Sequence, residues 1–146
     1  MWIPLGTDEE LKEFIEATND LHDASFVAAQ LSTRPDPSFG GARLIPDVDL
    51  GFQVDIEPHQ SVTLRCQDVR ELAFRQTADD CDTIVDHVEV RTDNDEVAIS
   101  IWLIGLPLKG EPNSYVMGDT DRMPDGLIRA RAVAWRLGNT PSGAGA

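Results

Sequence analysis

His22 and Asp23 stand side by side in NDLHDASF, residues 19–26. A carboxylate that fixes an imidazole's tautomer is half of a general acid–base device, and the same two residue types ligate metals. Adjacent residues of an extended chain point to opposite sides, so the dipeptide alone does not build a dyad. A metal-dependent hydrolase of the His-Asp kind needs a largely helical domain with further ligands. Here the other histidines, His59 and His87, both fall in a strand-rich region. The residues therefore predict a structural role: His22 covers the end of a helix, and Asp23 bonds nearby backbone amides in a turn.

His87 and Glu89 are two residues apart on one face of a predicted strand, together with Val85 and Arg91. Such a pair ligates zinc only if another segment adds donors, and His59, in a turn, is the one on offer. A solvated strand face is the plainer expectation. Asp-rich stretches at 79–82, 93–95 and 119–125 fall in predicted loops, where clustered oxygens suit calcium. Asp119, Asp121 and Asp125 come nearest to a calcium loop. Met123 occupies the third ligand position and no Glu closes the loop, so the EF-hand pattern fails. Gly-x-Ser-x-Gly, Ser-x-x-Lys, Cys-x-x-Cys and Gly-x-Gly-x-x-Gly are absent from the chain, and no cofactor is expected. Trp102, Tyr115 and Trp135 could stack on a sugar, but such positions more often serve a core.

One helix and a series of strands must position these groups. TDEELKEFIEATNDL begins with Thr7 as N-cap, Glu10 three residues on, and Asp8, Glu9 and Glu10 at the positive end of the helix dipole. Leu11, Phe14, Ile15 and Thr18 form an apolar stripe, and the helix should end near residues 19–20. Strands are predicted at 24–33, 44–57, 61–74 with a bend near Asp68, 83–91, 96–105 and 127–138, with a short one around Tyr115. TDND at 92–95 is a hairpin turn. Residues 44–57 alternate: Val48, Leu50, Phe52, Val54 and Ile56 on one face, Asp47, Asp49, Asp55 and Glu57 on the other. Ile128, Ala130, Ala132 and Ala134 make a smooth face suited to the helix. The pattern predicts a mainly β protein with one N-terminal α-helix, an antiparallel β-sandwich or open barrel of six to seven strands. Residues 1–138 form a single globular domain and 139–146 a disordered tail.

The chain has 146 residues, 41% of them hydrophobic, and a formal net charge of −14. Residues 1–60 carry 12 acids and 3 bases, residues 61–100 carry 10 and 4, and residues 101–146 carry 4 and 5. That field disfavours nucleic acid and anionic membranes and favours a basic protein partner. The longest apolar run, at 99–108, is too short to span a bilayer. No secretory signal is seen at the N-terminus, so a cytoplasmic location is expected. Cys66 shares parity with Val62 and Leu64 and should be a buried thiol.

The helix ending FIEATNDLHDASF, followed by a β-region with VTLRCQDVRELAF, resembles small bacterial proteins of unknown-function and toxin-immunity type. The resemblance covers residues 10–137. It implies a β-sandwich with a packed helix and no established catalytic role. The leading expectation is a non-enzymatic acidic binding domain, an immunity-type protein whose Asp47, Asp49, Asp55 and Glu57 face solvent and meet a basic partner. The rival is a metal-dependent hydrolase, or a sandwich that binds calcium or another ligand through its His and Asp-rich loops.

Overall fold

The computed structural model describes residues 1–40, 43–54, 60–74, 81–93, 95–105 and 124–139. The helix, α1, spans Asp8–Thr18. Thr7 Oγ1 accepts from the Glu10 N–H at 3.2 Å, and Glu10 Oε1 accepts from the Gly6 N–H at 3.1 Å. Phe14 and Thr18 are buried, whereas Ile15 is 38% exposed, so the docking stripe is narrower than its sequence. Asn19 ends the helix in the left-handed region (φ 54°), its N–H donating to Ile15 O. A 3-10 turn, Asn19–Leu21, follows.

Seven strands follow one another in an antiparallel sheet: β1 (Ile3–Pro4), β2 (Ser25–Pro35), β3 (Leu44–Val54), β4 (Gln60–Phe74), β5 (Cys81–Asp93), β6 (Glu96–Gly105) and β7 (Gly126–Asn139). Over the described residues the protein is thus mainly antiparallel β with a single α-helix, at the N-terminal side. The order is β1-β7-β4-β3-β2-β5-β6, with β6 also paired to β7, so the pairing runs full circle. One edge of β7 belongs to β4. The other is shared: β6 takes the stretch from Gly126 to Ala130, and β1 takes Ala134 and Trp135. The circle is thinnest between β2 and β5, which meet at one register pair, Ser25 with Ile84.

Val48, Leu50, Phe52, Val62, Leu64, Cys66, Ile99, Ile101 and Ile128 face a common core. The period-2 pattern of β3 places Val48, Leu50, Phe52 and Val54 inside, as alternation demands. Phe14 of α1 meets Trp135 edge to face, with ring centroids 5.4 Å apart. This corrects the small-residue face expected on β7. Ala130 and Val133 are both buried, so the strand changes phase between them, Ala132 is exposed, and Trp135 receives the helix. The bend expected near Asp68 is present. Asp68 has φ 55°, and the β4–β7 register slips by one residue between Val69 and Glu71. In the β5–β6 hairpin Asp93 pairs with Glu96, and Asp95 takes φ 66°.

Asn139 still pairs with Gln60 in β7, one residue past the expected domain end. The expected tail from 140 onward and the expected strand around Tyr115 lie outside the described residues. Among the described residues no helix is long and apolar enough to cross a membrane.

Candidate functional site

Asp47 and Asp49 project from β3 on the face opposite the core, both half-buried. Neither is a bare surface charge. Asp49 receives Arg65 through two bonds, Nε to Oδ1 and Nη2 to Oδ2, both 3.0 Å. Asp47 accepts from Arg34 Nε at 3.0 Å through Oδ2 and from the Asp68 backbone N–H at 2.9 Å through Oδ1. The Arg65 guanidinium also lies 4.2 Å over the Trp2 ring, which Arg136 faces at 4.5 Å. The carboxylate row expected to stand open to a partner is, over its described part, neutralised by arginines of β2 and β4. Asp55 and Glu57 lie outside the described residues. β3 also sits between β2 and β4, so its acids guard no sheet edge.

The two histidine stretches come together at the β2–β5 step. Asp23 has φ 63°, as a turn residue can, so the opposed side chains of an extended dipeptide do not apply here: the His22 and Asp23 side chains turn toward each other, Nδ1 to Oδ2 at 3.2 Å. The pair is largely exposed, and pairs of this kind contribute about 0–1 kcal/mol. Its backbone does more to shape the fold. The Asp23 N–H donates to Val85 O at 3.0 Å and the Val85 N–H to Ala24 O at 2.8 Å, fastening the end of the helical segment to β5.

On β5 the register with β6 slips between Val85 and His87. Val85 therefore turns into the core instead of sharing the face of His87, and Asp86 is buried beside it. His87 Nδ1 lies 3.1 Å from Asp86 Oδ2, and its ring stacks on Trp102, its register partner, at 4.4 Å and 12°. Burial pushes the Asp20 carboxyl above the usual carboxylate range, while the charges of His87 and His22 pull it back. Asp20, His22 and His87 thus form one electrostatic neighbourhood.

The metal candidates among the described residues have other partners. Glu89 accepts from Arg91 Nε, and Asp125 is buried with Oδ2 accepting from the Leu103 N–H at 2.8 Å. Among the described residues no group of three or more His, Cys, Asp or Glu is placed to hold a metal ion. His59, Asp119 and Asp121 lie outside those residues. Trp135 is a core residue, and Trp102 is engaged with His87.

The feature that residue patterns alone pass over is β2. After Ser25 this strand leaves β5 and, among the described residues, keeps one neighbour, β3, through Pro35. Ala29 and Leu31 pair with Leu50 and Val48, so they share the core-facing side. Yet Leu31 is 60% exposed while Val48 is 1% exposed. Val27, beside the register slip between Phe26 and Ala28, is 58% exposed. Along β4, Leu72 and Phe74 stand opposite Ile128 and Gly126 and are also exposed, with Phe74 touching Phe26 at 5.8 Å. The core layer stops short of β2 and leaves both an apolar margin and an unpaired backbone edge among the described residues. The one sequence signal for it is composition: SFVAAQLSTRP holds no acid and a single charge, Arg34.

No known protein family, curated protein or solved structure matches the chain.

Proposed function

We propose that the chain is a non-enzymatic protein-binding domain that takes an extended segment of a basic partner along the free edge of β2. The observation that carries this reading is the edge itself. Among the described residues the stretch from Val27 to Pro35 has one strand neighbour, every side chain in it is exposed, and it contains no carboxylate. An unpaired strand edge offers backbone donors and acceptors to an added strand, while exposed Val27, Ala29 and Leu31 offer side-chain contacts. Natural edges are usually blunted by charge, proline or brevity, and within β2 the charge and the proline come only at Arg34 and Pro35.

Charge selects the occupant. Two copies of a chain at −14 repel each other, which disfavours self-pairing at this edge, whereas a basic partner is drawn in. An immunity-type inhibitor, acting in the cytoplasm and masking a basic toxin surface, is the specific form of this reading. In that form the acids of β3 contribute attraction at a distance, since Asp47 and Asp49 are already paired.

The test is recovery of the native complex with wild-type protein and with a Val27→Lys/Leu31→Lys variant, followed by mass-spectrometric identification. The proposal expects a partner of net positive charge, held by the wild type, lost by the variant, and associating more slowly as salt rises. Equal recovery by both proteins, an acidic partner, or a self-paired dimer in sedimentation equilibrium would overturn it.

A further inference from the structure

On the outer face of the sheet, four arginines of this acidic chain meet around one cavity. Arg34 comes from the end of β2, Arg43 from just before β3, Arg70 from β4 and Arg131 from β7. They are four of the chain's ten arginines. The carboxylates in the lining are Asp36 and Asp68, and Asp47 pairs with Arg34 from beside it, so four arginines face three carboxylates within a chain of −14. The cavity holds about 470 Å³.

Two matched irregularities shape it. Cys66 and Val69 are both buried, so Gln67 and Asp68 both turn outward. Across the pair, Ala130 and Val133 are both buried, so Arg131 and Ala132 turn outward beside them. Asp47 Oδ1, bonded to the Asp68 N–H, holds the left-handed residue that makes this possible. Existing partners leave the guanidinium groups of Arg34, Arg70 and Arg131 with donors to spare. Arg34 is held by Asp47 through Nε, and Arg70 by Asp68 through Nη2 at 3.2 Å. Arg131 Nη1 stands 3.9 Å from Asp68 Oδ2, beyond hydrogen-bond distance. One Asp68 carboxylate is shared by two arginines and cannot satisfy ten N–H donors.

We infer that this cavity binds the phosphate group of a small phosphomonoester. Arginines reaching in from four separate segments surround a tetrahedral oxyanion better than a planar carboxylate, which one guanidinium fork satisfies. The volume falls within the range of small-molecule sites and leaves room for an organic group beside the phosphate. The chain's overall negative charge opposes a long polyanion such as nucleic acid at the same place. This inference does not rest on the β2-edge reading, although Arg34 near the end of that strand lines the cavity: a strand added there needs no anion.

Isothermal titration at fixed ionic strength, with phenyl phosphate, inorganic phosphate and citrate as probes and chloride as the balancing salt, tests it. Phenyl phosphate should bind saturably and more tightly than inorganic phosphate or citrate. Arg131→Gln should weaken it about 10- to 100-fold, the scale of a lost charge-assisted hydrogen bond. Arg131→Lys should recover part of that loss, and Arg129→Gln, outside the cavity, should change nothing. Arg131 is exposed, so thermal midpoints of the variants in chloride should match the wild type. Absence of saturable binding, equal affinity in Arg131→Gln, or preference for citrate would overturn the assignment. Tighter binding of inorganic phosphate than of phenyl phosphate would overturn the monoester.

Discussion

Asp47 Oδ1 accepts the backbone N–H of Asp68 at 2.9 Å, joining β3 to the one residue of β4 with positive φ. The same carboxylate holds Arg34, so a residue whose parity reads as an open, partner-binding charge fixes the bend in β4. Asp47→Ala removes a charged acceptor from a half-buried amide, and urea denaturation should show a loss of about 1.5–3 kcal/mol. Asp49→Ala, which removes a partly exposed ion pair, should cost no more than about 1 kcal/mol. Equal losses would mean that the Asp68 turn holds without Asp47.

The α1 stripe rests on one fully buried ring. Phe14 is 0% exposed and packs against Trp135. Phe14→Ala should cost about 3–5 kcal/mol and shift the tryptophan emission to the red as α1 loosens. Ile15→Ala, on the exposed flank of the same helix, should stay within about 1 kcal/mol.

Cys66 offers a pH test. Burial, aided by the Asp49 charge, pushes its thiol up to about 12. An unfolded cysteine ionises near ~8.5. A folded value above the unfolded one contributes stability that is complete below ~8.5 and is lost as pH climbs toward 12. In a Cys81→Ser background, the urea midpoint should fall on going from pH 8 to pH 10, and a thiol reagent should label Cys66 only at the rate of unfolding. Fast labelling of the folded protein at pH 7 would contradict its burial.

Asp20 is raised by burial against the attraction of His87 and His22. A raised carboxyl contributes most when protonated, below its unfolded value near ~3.9, and that contribution fades as pH rises through the higher folded value. Asparagine keeps the left-handed backbone at φ 57° and carries no charge to desolvate. Asp20→Asn should therefore stabilise the protein near neutral pH, with a gain that shrinks as pH falls toward 3. A gain independent of pH would point to backbone preference instead.

Local chemistry made much of the fold legible. The Thr7–Glu10 cap, the parity of β3, the phase break at Asp68 and the Asp-rich hairpin turn are each decided by a few neighbouring residues. Sheet order is not local. No residue in β3 announces that β2 and β4 flank it, so its acids read as an open row when Arg34 and Arg65 in fact cover them. Asp23 reads as a turn residue, but a left-handed non-glycine residue has no strong signature, so its contact with His22 is not legible, and the slip at Asp86 hides the turn of Val85 into the core. Arg34, Arg43, Arg70 and Arg131 are scattered through an acidic sequence, and the sheet order together with the phase breaks of β4 and β7 brings them to one cavity.

Hydrogen–deuterium exchange on the free protein and on its native complex tests the central claim most directly. In the free protein the β2 amides that point away from β3 should exchange quickly while those bonded to β3 are protected. In the complex, protection should appear across residues 27–35. Protection confined to the β3 face or to the His22–His87 neighbourhood, with β2 unchanged, would contradict strand addition as the mode of binding.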